Sequence, residues 1–244
     1  MGLGAGFIAS LLGIGGGTVI VPLLVLAGVP IKRAVPASLV AILGTSLGGL
    51  FYLARRGLVE YRTALTLETA TTLGAAVGVW AFGHLGSRGL TVVFAAALII
   101  SAWGLWLRRR LPEPGPYRWP PRASRLASAL LASAGAGLLS ALLGIGGGVV
   151  KVPILILILG MPIKQAVSTS KLMVGITAAV GVAGHALEGR IDWLLAIPLA
   201  LGTYAGATAS SRLLVRLPSR AIYYIAVTYY IVMASYMTLR ALHP

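Results

Sequence analysis

Cysteine is absent and charge is scarce: none of the 244 residues is Cys, 10% are charged and only five are acidic. The missing thiols exclude disulfides, thiolate metal sites and cysteine nucleophiles. A soluble domain carries about 25% charged residues. A chain with far fewer, 58% of it hydrophobic and with a mean hydropathy of +0.93, is an integral membrane protein. The three histidines have no clustered acids around them, so neither a metal nor a cofactor is expected. No serine, histidine and aspartate arrangement is discernible within the apolar runs, and an enzyme is unsupported.

The formal charge of +15 could suggest nucleic acid. The basic residues, however, sit in short blocks between apolar runs, such as Arg55-Arg56, Arg108-Arg109-Arg110 and Arg212, Arg216 and Arg220. That is the distribution of cytoplasmic flanks around membrane spans, and no segment could carry a nucleic-acid module. The N-terminal apolar run lacks the basic start and small-residue cleavage pattern of a signal peptide and is read as structure.

What the chain has in abundance is apolar sequence, and it has it twice. LLGIGGGTVIVP at residues 11–22 returns as LLGIGGGVVKVP at residues 142–153, with ten of twelve positions identical. Shifts of 131 and then 132 residues also align Pro30-Ile31-Lys32 with Pro162-Ile163-Lys164, Gly57 with Gly189, Glu60 with Asp192 and Gly74 with Gly206. The expected organisation is a first transmembrane repeat over residues 1–110, a polar linker over 111–122 and a second repeat over 123–244. The stretch RRRLPEPGPYRWPPR around that linker holds five prolines, which favour an extended connection.

The fold class expected is an all-α integral membrane protein with two homologous repeats of four apolar segments each. The first segment of each repeat is broken by GIGGG and followed by Pro22 or Pro153. It either crosses with a break or turns back as a re-entrant hairpin. Basic residues outside the apolar runs split thirteen to five between the two faces if the first segments are re-entrant, and eleven to seven if they cross. The cleaner split favours three crossings per half and therefore inverted repeats over parallel ones, with a substrate site at their interface near the midplane.

Irregular backbone at membrane depth must be buried in protein or line a wet cavity. A helix restarting after Gly17, and another after Gly148, would point its unpaired N–H groups and positive dipole end at the break, which suits an anion. The competing role for such glycines is close helix packing. A phosphate-binding Walker loop would need Lys-Ser or Lys-Thr after the last glycine, and a dinucleotide fingerprint would need a preceding strand; neither is present.

Candidate anion-binding residues are Gly15, Gly16, Gly17 and Thr18 at the first break, and Gly146, Gly147, Gly148 and Lys151 at the second. Ser38 comes from AVPAS, and Ser168, Thr169, Ser170 and Lys171 from AVSTSK. A lysine at membrane depth is costly enough to mark function, and snorkelling to an interface is the alternative. Ile20 and Leu39 occupy the equivalent positions in the first half. Glu68, the lone carboxylate deep in an apolar run, is either a proton carrier or the partner of one of the lysines, the second being favoured.

The segments GAGFIASLLGIGGGTVIVPLLV and GAGLLSALLGIGGGVVKVPILI, with AVPASLVAILGTS and AVSTSKLMVGITA after them, resemble the sulfite exporter TauE/SafE family of membrane permeases. The resemblance covers essentially the whole chain. It implies a multi-pass protein of the bacterial inner membrane that exports small sulfur-containing anions such as sulfite or sulfonates, with the lipid bilayer as its surroundings and a homodimer compatible with it. One departure stands out: Pro36 and Ala37 replace the Ser168-Thr169 hydroxyls, so the second half should supply more donors. A passive anion channel, or a membrane subunit of a sulfur-metabolising system, is the alternative.

Overall fold

The computed structural model describes residues 2–82, 87–108, 115, 117, 119–143 and 146–242, and among these there is helix and no strand. The helices are α1 (Gly2–Leu12), α2 (Gly17–Leu26), α3 (Ile31–Arg55), α4 (Tyr61–Phe82), α5 (Ser87–Arg108), α6 (Ala123–Leu143), α7 (Gly148–Pro153), α8 (Ile163–Leu187), α9 (Trp193–Arg216) and α10 (Ser219–Leu242). A π-helical turn, Ile154–Ile158, continues α7. By length and composition α3, α6, α8 and α9 can each cross a bilayer, whereas α1 and α2, at 11 and 10 residues, reach only about half of its 30 Å core. Exposed Leu, Ile, Trp and Phe side chains, such as Leu73, Trp80, Leu131 and Leu194, cover the outside, as a lipid-facing surface requires.

Equivalent positions punctuate the helices in the same way. Pro30 and Pro162 precede α3 and α8, where a missing N–H costs nothing. The end of α3 is closed by Gly57, with the Leu58 amide donating to Leu53 O, and the end of α8 by Gly189, with the Arg190 amide donating to His185 O. Asp192 caps α9, its carboxylate accepting from the Leu195 amide at 3.3 Å. Between α5 and α6, Tyr117 docks on α4, its hydroxyl accepting from Thr63 at 3.2 Å, and burial pushes the phenol above its ordinary value.

Residue pairing fixes the helix directions. Along α3 and α8, Gly49 faces Lys171, Ser46 faces Gly175 and Leu39 faces Gly181, so these two helices are antiparallel. Along α1 and α9, Gly2 faces Leu199, Gly6 faces Thr203 and Gly206 faces Phe7, so they are parallel; α4 and α6 pair in the same sense through Gly74 with Ala134 and Gly78 with Leu138. The first apolar segment doubles back: a small void is lined by Ala5 and by Ile20, Leu23 and Leu24, which places the start of α1 beside the end of α2. The second does likewise, with Gly160 beside Arg125 near the start of α6. Both breaks are therefore hairpin turns.

Glycine sets the spacing of α1 on α9 and of α6 on α4. A methyl group at Gly74 would fall on the Ala134 carbonyl, and one at Gly137 on the Thr71 carbonyl. Backbone cannot rotate away, so such contacts, which give lipid-embedded helices their packing energy, tolerate no side chain. Gly74→Ala is expected to cost about 1–3 kcal/mol of stability by overpacking. Gly4, with open space around it, should gain slightly from the same change because alanine favours helix. Thermal melting of the purified variants in detergent checks both signs.

Candidate anion site at the glycine breaks

The turn after α1 uses Gly13, Gly15 and Gly16 at φ of +69°, +86° and +96°, and its counterpart uses Gly146 and Gly147 at +67° and +68°. Only glycine visits this left-handed region without steric cost, which accounts for the run of glycines in the motif. Each helix restarts at once: Gly16 O accepts from the Val19 and Ile20 amides, and Gly147 O from the Val150 and Lys151 amides. Residues Gly13–Val21 are all buried. The Thr18 hydroxyl, in the first turn of α2, is fully buried and lies against the Tyr229 hydroxyl of α10.

The two turns touch. A Cβ built on Gly148 would lie 2.6 Å from Gly13 O and 2.7 Å from Ile14 Cα. Ser170, from α8, donates to Gly13 O at 2.8 Å, and Gly13 packs against Val167 of the same helix. Gly146 packs against Val174 of α8 and Ile42 of α3. The second turn and α8 thus clamp the first turn, at the junction of helices from both ends of the chain.

Two buried lysines flank this junction on different faces of α8. Lys171, 3% exposed, donates to Ser10 Oγ at 2.6 Å and to Ser211 Oγ at 2.7 Å, joining α1, α8 and α9. Both serine hydroxyls in turn donate to Ala207 O. Among the described residues no carboxylate pairs with Lys171. Gly49 leaves room for its ammonium, since a methyl there would come within 2.6 Å of Nζ. A buried cation with only neutral acceptors keeps most of its desolvation cost, and a small anion is the natural complement.

Lys151, fully buried and one turn beyond Gly147, is paired. Its Nζ donates to Glu68 Oε1 at 2.7 Å, to Met173 O at 2.9 Å and to Thr177 Oγ1 at 2.5 Å. Thr177 lies within 2.6 Å of Glu68 Oε2 as well, and its hydroxyl donates there. Lys151 and Lys171 share no partner. Glu68 therefore stands as the counter-charge of Lys151, one of the two roles its sequence position suggested.

The remaining candidates are used locally or structurally. Ser38 donates to Val35 O and Ser168 to Lys164 O within their own helices, and Thr169 accepts from the Glu60 amide at 3.0 Å, tying α8 to the start of α4. Ser10 and Ser211 escaped sequence reasoning, since a serine in an apolar helix usually bonds to its own backbone. A signal was nevertheless available: their equivalents across the repeat are Ala141 and Val79, so both hydroxyls, like Lys171, are polar in one half only.

A multi-pass helical bundle with glycine-broken segments meeting inside it and buried cations beside them is compatible with a membrane transporter. The family model for the sulfite exporter TauE/SafE matches residues 1–237, and the chain belongs to that family. It is 29% identical over 231 residues to the probable membrane transporter protein YunE of Bacillus subtilis, covering 84% of this chain and 83% of the relative. A probable membrane transporter protein of Xylella fastidiosa is 30% identical over 216 residues, covering 86% and 81% respectively. No solved structure matches the chain.

Proposed function

We propose that this protein carries small anions of the sulfite and sulfonate class across the bacterial inner membrane by alternating access, with the anion held where the two GIGGG turns meet. The observation that carries this reading is Lys171: a buried ammonium beside the first turn whose partners among the described residues are the Ser10 and Ser211 hydroxyls. Its charge, with no carboxylate paired to it among the described residues, favours an anion. Membership of a family described as sulfite exporters supports sulfur oxyacids as the class of anion.

In this reading residues 1–110 and 123–244 are inverted repeats joined by the linker 111–122. Antiparallel α3 and α8, which occupy equivalent places in the two halves, support the inversion. The matching hairpins are compatible with it too, and with three crossings per half the basic flanks favour a cytoplasmic position for the arginine-rich linker. An inside-negative potential then drives a monoanion outward by about 2.3 kcal/mol per 100 mV without a coupling ion.

Counterflow tests the carrier mechanism. Proteoliposomes loaded with unlabelled sulfite should accumulate external labelled sulfite transiently, with saturable initial rates. Linear, unsaturable flux without counterflow would instead make the protein a channel.

A further inference from the structure

The Lys151–Glu68 pair has no counterpart across the repeat, where Ile20 of the first half and Ala200 of the second hold the equivalent positions and Ile20 packs among apolar side chains. The hairpin therefore does not require an ion pair there: an apolar filling serves in its twin, and replacing buried pairs by apolar side chains is often stabilising. The pair is a local addition to the second hairpin.

The pocket around it also holds one donor more than Glu68 uses. The carboxylate takes Lys151 Nζ on one oxygen and the Thr177 hydroxyl on the other. The Ser140 hydroxyl, on α6, is fully buried and has no hydrogen-bond partner among the described residues. Ser140 borders the same space: a methyl on Gly147 would sit 3.3 Å from both Ser140 Cβ and Lys151 Cε. An unpartnered buried hydroxyl carries a desolvation cost that a third acceptor atom would remove. Two-oxygen Glu68 cannot supply that atom, whereas a sulfite or sulfonate group has three oxygens.

We propose that Glu68 is a tethered stand-in for the transported anion, and that a three-oxygen monoanion of the sulfonate class displaces it onto Lys151, Thr177 and Ser140. This rests on the anion-transport reading above and adds a second station to it, on the opposite side of α8 from Lys171. While Glu68 occupies Lys151, α7 is tied to α4 and α8. Substrate on Lys151 frees Glu68, and with it the hold of α4 on the second hairpin.

The test uses the purified full chain in detergent, with thermal melting as readout and methanesulfonate, acetate and chloride compared at one ionic strength. Glu68→Ala should melt roughly 10 °C below the unmodified protein, because it leaves a buried ammonium unpaired. Methanesulfonate should restore roughly 5 °C or more, saturably. That gain should vanish in the Glu68→Ala/Lys151→Met double variant, and adding Ser140→Ala should reduce it while leaving any acetate gain unchanged. Glu68→Gln, which keeps the volume, should show the same anion-specific gain and serves if the alanine variant does not fold. Methanesulfonate gains no larger than chloride's in both variants overturn the proposal. Flux separates the two claims: sulfite transport without these gains overturns the second station alone, and the gains without transport support the pocket and remove the carrier.

Discussion

Lys171→Met is expected to lower sulfite flux roughly 10- to 100-fold while raising the melting temperature. The loss follows from removing charge-assisted hydrogen bonds worth about 1.5–3 kcal/mol to a bound anion, at about 1.4 kcal/mol per tenfold. The gain in stability follows because Lys171 is buried with hydroxyl partners and no carboxylate. Methionine keeps the length of the side chain and removes the uncompensated charge, a change worth about 1–3 kcal/mol by analogy with buried ion sites filled by apolar residues. A lysine with a purely structural role would give the opposite stability change, so opposite signs in flux and melting identify a charge kept for function. Initial rates in proteoliposomes and melting of the same preparations check the two halves of the expectation.

Gly148→Ala should be the most damaging of the motif substitutions, with flux abolished and stability lowered by about 1–3 kcal/mol or more. Its conformation is not the obstacle, since Gly148 opens α7 without a positive φ. The obstacle is space: the new methyl would meet Gly13 O, Ile14 C and Ile14 Cα, all within 2.7 Å and all backbone of the opposing turn. Relief requires the two turns to separate, and Ser170, which holds Gly13 O from the other side, resists that. Gly135→Ala, in the same repeat but with no neighbour within 4 Å of its Cβ position, should leave both flux and melting close to the parent. If Gly148→Ala transports normally, the turns do not meet at the site.

The glycine run and the prolines after it contain the hairpins: left-handed positions at Gly13, Gly15 and Gly16 demand glycine, and a chain that turns there within an apolar stretch can only fold back or break. The match of residues 11–22 with 142–153 is equally plain in the sequence, and Gly57 and Gly189, aligned by the shift of 132 residues, both take a positive φ after a helix. Partner choice is another matter. That Lys151 would meet Glu68, 83 positions earlier, and Lys171 would meet Ser10 and Ser211, depends on which helix packs on which. Apolar periodicity carries little of that information in a membrane protein, because lipid and helix interior are both apolar and small residues decide the packing. Ser38 and Ser168, each bonded to its own helix, and Thr169, which accepts from the Glu60 amide, show the same limit: their sequence context does not distinguish these uses of a hydroxyl from one aimed at a ligand.

The most direct test of anion transport through this junction is labelled sulfite flux into proteoliposomes holding only the purified protein, driven by an imposed, inside-positive potential and run beside Lys171→Met. Saturable uptake that grows with the potential and falls at least about tenfold in the variant is the predicted result. Uptake by folded protein that is indifferent to the loss of Lys171, or no uptake of sulfite or sulfoacetate by the parent, would contradict it.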